Sequence, residues 1–213
     1  MCFPESSRSF QSIQAGTLNR STDMATQDRL FELRRQVGEL LRGEVAVAAR
    51  ADGAPVVTSD ATPAGRAMRL VLSELRREVP YDSCSVQELR ESRLVIVAGV
   101  GFRDLDVVLG EAFEVDNIDI PNGEVVYRQR PLIVSDTEQY RAFRRGLHVG
   151  AGIRSWLGVP MLAGETVAGI VALDKAEREA YTHAHAKTVL AYAALIARAL
   201  IEAAGRGNGR AVR

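Results

Sequence analysis

The hydrophobic pattern is clearest between residues 153 and 174, where two apolar runs flank a short connection that contains glycine. The runs cover residues 156–162 and 167–173, and the sequence Ala-Gly-Glu at 163–165 joins them. β-Branched residues on both sides of a glycine turn are typical of a β-hairpin. Because both faces of each run are largely apolar, we expect the hairpin to lie centrally in a sheet that is covered on both sides.

Two further strands are predicted upstream, joined by a polar turn, at residues 83–89 and 94–100. Alternation along the first of them places Cys84 and Val86 on one face of the sheet. The small polar side chains Ser83, Ser85 and Gln87 lie on the other face. Such groups are unusual for packing against a core, and they suit the wall of a cavity better.

Three longer helices are predicted from apolar residues at spacings of three and four, over residues 27–50, 63–79 and 182–204. The first has a narrow apolar seam of Leu30, Leu33, Val37 and Leu40, which is too short to be stable alone in water. We expect it to pack on the same helix of another subunit, on the C-terminal helix, or along its own domain. The C-terminal helix is apolar around its circumference, which favours self-association more strongly.

The chain between the second strand and the hairpin is an excursion of short elements. The pattern predicts a loop-rich segment, a short helix, a short strand and a second short helix, at residues 102–122, 123–130, 132–134 and 140–147. Long excursions of this kind in compact domains are usually binding loops or disorder, and regular short elements argue against disorder.

These elements indicate one folded domain with arms. Residues 1–23 are polar and lack periodicity, so we predict a disordered tail. Residues 24–58 are predicted to form an N-terminal signalling or dimerisation helix with its linker, and residues 60–204 the domain itself. Residues 205–213 are predicted to be a flexible tail.

Charge and composition narrow the classes of partner. The 213 residues carry 27 basic and 27 acidic side chains, so the formal net charge is zero, which gives no reason to expect nucleic acid as a partner. The sequence shows neither a continuous apolar run of about 20 residues nor the order of a secretory signal. We therefore expect a soluble, cytoplasmic protein with no membrane partner. Cys2 and Cys84 make neither a disulfide framework nor a metal-ligand set.

The order of elements, together with three motifs, resembles the GAF family. The motifs lie at residues 79–86 (VPYDSCSV), 123–136, and 153–160 (IRSWLGVP) followed by 169–174. The resemblance implies an α+β fold of the profilin- and PAS-like class, with a central antiparallel sheet. It places the N- and C-terminal helices on one face of the sheet and the ligand-pocket loops with their short helices on the other.

The resemblance also implies a small-molecule pocket between sheet and loops. Candidate ligand-binding residues are Ser83, Ser85, Gln87, Tyr127, Arg154 and Trp156. A few polar groups among apolar and aromatic walls are usual in such sites. The guanidinium of Arg154 could bind a phosphate or a carboxylate. The alternative for each residue is an ordinary structural role, as a satisfied polar group, a core aromatic or a solvated arginine.

Cofactors and catalysis receive weaker support from the residues. His148 lies in a loop where a haem-iron ligand could be placed, although no cofactor is required. Cys84 is predicted to face the helices as a small buried hydrophobe and not to anchor a bilin. No second cysteine in the domain could resolve an oxidised Cys84, and no Ser, His and Asp stand at motif spacing. We expect no enzyme activity and no metal site.

Two functions of different classes follow from this pattern. The first is a small-molecule sensor in bacterial signal transduction, which relays ligand binding through the terminal helices to a signalling protein or to the second subunit of a homodimer. The alternative is a ligand-free dimerisation or protein-interaction module whose cavity is filled by its own side chains. A haem-binding sensor is a further alternative.

Overall fold

The order of helices and strands follows the predicted one, except that α3 and β3 are added and the second short helix predicted at 140–147 is not among the described elements. The structure is a computed structural model that describes residues 20–42, 63–143 and 152–208. The helices are α1 (Arg20–Arg42), α2 (Pro63–Leu75), α3 (Leu105–Val108), α4 (Pro121–Arg128) and α5 (His183–Asn208). The strands are β1 (Ser83–Arg90), β2 (Arg93–Val100), β3 (Ala112–Glu114), β4 (Leu132–Val134), β5 (Ser155–Ala163) and β6 (Thr166–Lys175).

The six strands form one antiparallel sheet in the order β3-β2-β1-β6-β5-β4. The predicted hairpin is β5 and β6, which are joined by Gly164 and Glu165. Gly164 has φ +64°, a left-handed conformation that glycine adopts without strain. The hairpin continues into β1, so the prediction of a central antiparallel hairpin in an α+β fold is confirmed.

The two faces of the sheet pack against different layers. The helix-facing core contains Cys84, Val86, Leu157 and Leu173, all fully buried together with the inward residues of α1, α2 and α5. A second, smaller cluster on the opposite face joins Trp156 and Ile170 to α4 and the loops. The prediction of terminal helices on one face and short elements on the other is confirmed.

Helix α1 packs on α2 and on the C-terminal helix α5 of its own domain, so two of the three expected arrangements are present together. Leu33, Val37 and Leu41 are buried in the same core as residues of α2 and α5. Arg29 Nη1 also contacts Glu78 Oε1 at 3.0 Å, beyond the end of α2. Self-association through the terminal helices stays a prediction.

Several predicted boundaries differ from the structure. Helix α1 begins at Arg20, so residues 20–23, which were assigned to the tail, are helical. Strand β3 was missed inside the predicted loop because three residues are too few to show an alternation. Helix α4 begins at Pro121, whose fixed φ suits a first helical turn. Residues 140–143 form a turn where a helix was predicted, and residues 144–147 lie outside the described residues.

Helix α5 is the most apolar element. Among the described helices, its segment His183–Ile201 is long and apolar enough to cross a membrane by length and composition alone, with a mean hydropathy of 1.3. Half of that segment is buried inside the protein, where α5 packs on β5 and α2. Core helices of soluble proteins pass the same test, so the finding is weak evidence for a membrane.

Candidate ligand-binding cavity

A cavity of about 790 Å³ lies on the loop-facing side of the sheet. Its floor comes from β1, β2 and β6, and its walls come from β5 and from the chain between α3 and α4. The lining residues are Ser85, Gln87, Ile96, Phe102, Glu111, Ala112, Phe113, Glu114, Asp116, Asn117, Ile120, Pro121, Asn122, Ala142, Phe143, Ile153, Trp156, Ala172 and Asp174. This volume is in the range of sites for small molecules.

A chain of hydrogen bonds crosses the cavity floor. Asn122 Nδ2 donates to Gln87 Oε1 at 3.4 Å, and Gln87 Nε2 donates to Ser85 Oγ at 3.0 Å. Ser85 and Gln87 are 3% and 4% exposed, so these polar groups are held in place beneath the cavity. The predicted alternation along β1 therefore places polar groups where a ligand could contact them.

Asp174 adds a carboxylate to the floor at the end of β6. Its Cα pairs in register with Ser83 of β1, and Ser83 Oγ donates to Asp174 Oδ2 at 2.7 Å. Burial raises the pKa of Asp174 to about 6, against the lowering effect of the Ser83 hydrogen bond, and the nearby charge of Asp82 adds to the rise. Near neutral pH the cavity thus contains a buried acid that is mostly ionised.

Aromatic rings form one wall. Trp156 is 4% exposed and packs edge to face against Phe143, with ring centroids 6.3 Å apart and an interplanar angle of 73°. The indole lies across Gly158, where an added Cβ would come within 2.1 Å of Trp156 Cη2. The sequence Trp-Leu-Gly at 156–158 therefore positions this ring, because only glycine leaves room for it.

The structure brings together three of the six predicted site residues, since Ser85, Gln87 and Trp156 line the cavity. Ser83 lies next to it, behind Asp174. Tyr127 and Arg154 do not contribute to the lining that the described residues form. A role of any of the six in ligand binding stays a prediction.

The positions of Tyr127 and Arg154 have specific causes. Helix α4 turns Val125 into the core, so Tyr127 points away from it and is 57% exposed. Arg154 Nη2 lies 3.1 Å from Glu138 Oε2 and 3.6 Å from Asp136 Oδ1, so its guanidinium is already surrounded by carboxylates.

Sequence reasoning missed Asp174 as a site residue, although a signal was present. Ile170, Ala172 and Asp174 alternate along β6, so they share one face, and a carboxylate at the end of an apolar series is unusual. Asn122 was missed because helix α4 begins two residues before its predicted start, and Phe143 because it lies in a turn, where no periodicity shows which way a side chain points.

Cys84 lies on the other side of the sheet from the cavity, as predicted. The thiol is fully buried among the helices, and burial raises its pKa well above the usual range. Within the described part of the chain, no three His, Cys, Asp or Glu side chains are placed to hold a metal ion. His148 lies outside the described residues.

Comparisons with known proteins agree with this architecture. The GAF domain of a phosphoenolpyruvate-protein phosphotransferase from Coxiella burnetii has a TM-score of 0.62 and 18% identity, over 84% of this chain and 96% of that chain. The free methionine-R-sulfoxide reductase from Neisseria meningitidis, solved with its substrate, has a TM-score of 0.59 and 10% identity, over 92% of this chain and 98% of that chain. At these identities the likeness shows the fold alone.

The sequence itself supplies the assignment to a family. A comparison with curated proteins finds no match. The family model described as the GAF domain matches residues 61–201, which is well over half of the chain. The chain therefore belongs to the GAF domain family, whose members are ligand-binding and signalling modules.

Proposed function

We propose that this chain is a sensory GAF module that binds a small molecule in the cavity and acts in bacterial signal transduction. The observation that carries the proposal is the cavity itself, with a polar floor and an aromatic wall. Ser85, Gln87 and Asp174 are fixed by hydrogen bonds before any ligand arrives, so binding would not have to order them.

A connection from the cavity to helix α5 supports a relay through the terminal helices. Asp174 ends the cavity face of β6, and the chain then runs through residues 176–182 into α5. Ser155 Oγ donates to the Glu177 carbonyl at 2.7 Å, and the Glu179 amide donates to the Ser135 carbonyl at 2.8 Å. A ligand that moves β6 or the loops would therefore also shift the chain at the start of α5.

Exposed apolar residues on α1 support an output through another chain. Met24 and Phe31 are 64% and 72% exposed, and their spacing of seven places them near one face of the helix. We propose that this face contacts a second copy of the chain in a homodimer or a signalling protein in the cytoplasm. The GAF domain of the phosphotransferase from Coxiella burnetii, which has a similar fold, supports the proposed role in a bacterial protein.

The proposal includes no catalytic step. The one thiol in the described residues, Cys84, is buried on the helix side of the sheet, and burial raises its pKa well above the usual range. Thiol chemistry needs an accessible thiolate. The alternative proposal, an interaction module without a ligand, is favoured by the same exposed residues on α1 but leaves the open cavity unexplained.

A thermal-shift screen of the full chain tests the proposal. Nucleotides, amino acids, amines, organic acids and haem would be added singly, because a ligand that binds the folded state must raise the melting temperature. A hit should be weakened by Gln87→Leu in the cavity floor and left intact by the matched control Gln27→Leu on the exposed side of α1. If no compound raises the melting temperature while the protein elutes as a stable dimer, the interaction module is the better description.

A further inference from the structure

In the part of the chain that the structure describes, the charged side chains that line the cavity are all acidic. The lining contains four carboxylates, from Glu111, Glu114, Asp116 and Asp174, and neither lysine nor arginine among the described residues. Glu114 is paired with Arg93, and Asp116 is exposed to solvent. Asp174 differs from these residues because it is 7% exposed and lies on the cavity floor.

The Asp174 carboxylate has Ser83 as its hydrogen-bond partner in the described part of the chain. Ser83 Oγ donates to Asp174 Oδ2 at 2.7 Å. The neighbouring cation, Lys175, points away from Asp174 and contacts Asp82 Oδ1 at 2.8 Å. No cation among the described residues forms an ion pair with Asp174. Burying a carboxylate without such a partner is costly, and an arriving cation would reduce that cost.

The aromatic wall stands directly beside this carboxylate. Trp156 and Asp174 are Cα partners in the β5–β6 pairing, and both line the cavity. Side chains directly opposite one another on antiparallel strands have Cβ atoms roughly 5 Å apart. An ammonium group between them would contact a carboxylate oxygen and a tryptophan ring together, which is the arrangement that binds organic cations in proteins.

We propose that the cavity binds an organic amine in its protonated form, with the ammonium group between Asp174 and Trp156 and the apolar body against Phe143. The inference rests on the proposed function and adds the chemical class of the ligand. A carboxylate or phosphate ligand would face the charge of Asp174 at short range. A metal ion would find no ligand on the aromatic wall.

Titration calorimetry with matched compounds tests the inference. Phenethylamine, 2-phenylethanol and phenylacetate share one aromatic body and differ in head group, and tryptamine, tryptophol and indole-3-acetate form a larger set. At pH 7.5 we expect at least one of the two amines to bind the full chain at least tenfold more tightly than its alcohol and its acid.

Variants locate the binding. Asp174→Asn keeps the shape and an acceptor for Ser83 but removes the charge, and it should weaken amine binding at least tenfold. Asp106→Asn makes the same change at an exposed position outside the lining and should leave the affinity unchanged. Trp156→Leu removes the ring and should also lower the affinity for the amine. This variant tests the site independently if Asp174→Asn does not fold.

Contrary outcomes separate the two proposals. Equal or tighter binding of an alcohol or acid, equal amine affinity in Asp174→Asn, or saturable binding of calcium ions that Asp174→Asn abolishes would overturn the inference. If compounds of another class stabilise the protein in the wider screen and no amine binds, the sensor function stands and the amine assignment falls. If no compound of any charge binds, both fall.

Discussion

The Tyr192 hydroxyl of α5 donates a hydrogen bond to Glu78 Oε1 at 2.8 Å. The same carboxylate accepts hydrogen bonds from Arg29 at 3.0 Å and from Thr26 at 3.3 Å, both on α1. Glu78 follows α2, so one side chain joins three helices that are far apart in sequence. The Glu78 carboxylate therefore links α5 to α1, which also pack against each other directly.

Tyr192→Phe should lower the free energy of unfolding by about 1–2 kcal/mol, because it removes a largely buried hydrogen bond to a charged acceptor. The matched control is Tyr127→Phe, whose ring is 57% exposed and which should change stability little. Urea denaturation of both variants measures the difference. Equal stability of the two would show that the Glu78 contact does not hold α5.

Tyr181→Phe should be neutral or stabilising, because the Tyr181 hydroxyl is buried and makes no hydrogen bond to the described residues. Tyr81→Phe is the matched comparison, since the Tyr81 hydroxyl donates to the Leu72 carbonyl at 2.6 Å. We expect that variant to lose roughly 1 kcal/mol. Thermal denaturation of the two variants compares their stabilities. A larger loss of stability in Tyr181→Phe than in Tyr81→Phe would contradict the prediction.

Asp174→Asn should make the protein more stable at pH 7.5 but not at pH 4. The folded-state pKa of Asp174, about 6, is above its ordinary value of 3.8, so the folded state holds this proton more tightly than the unfolded state. That contribution to stability is fully present below pH 3.8 and is lost as the pH rises through 6.

The gain from Asp174→Asn at pH 7.5 should therefore be on the order of 3 kcal/mol at most, since one pKa unit corresponds to about 1.4 kcal/mol. Urea denaturation of both proteins from pH 4 to pH 8 gives the profile, with Asp106→Asn as the control. A difference that does not change with pH would mean that Asp174 titrates normally.

Gly158→Ala should displace the Trp156 ring, because the added Cβ would lie 2.1 Å from Trp156 Cη2. Trp156 is the single tryptophan of the chain, so intrinsic fluorescence reports on the cavity wall alone. We expect a red shift of the emission as the ring becomes more exposed, and a loss of about 1–3 kcal/mol in stability. Unchanged emission would show that the wall adapts without moving the indole.

The sequence predicted those parts of the fold in which side chains alternate between the two faces of a strand. The β5–β6 hairpin and the polar face of β1 follow from alternation, and the structure has both. The partner of Asp174 could not be predicted in this way, because Ser83 is 91 residues away and meets it only through the strand register.

The features that the sequence did not predict lie mostly in short or irregular segments. Strand β3 has three residues and is defined by its pairing with β2 and not by its own pattern. The helical phase of α4, and hence the exposure of Tyr127, depends on where that helix begins. The acidic neighbours of Arg154 come from a loop after β4, so a guanidinium that suggested an anion site has carboxylates beside it instead.

Both borders of the sheet are strands of three residues, β3 and β4. A long unpaired border offers its free amides and carbonyls to other chains and invites fibril growth. Here β3 and β4 each offer only a short row of such groups, and the central strands β1 and β6 are paired on both sides. Edge-to-edge aggregation would therefore have to use the parts of β2 and β5 that β3 and β4 leave uncovered, and not the outermost strands themselves.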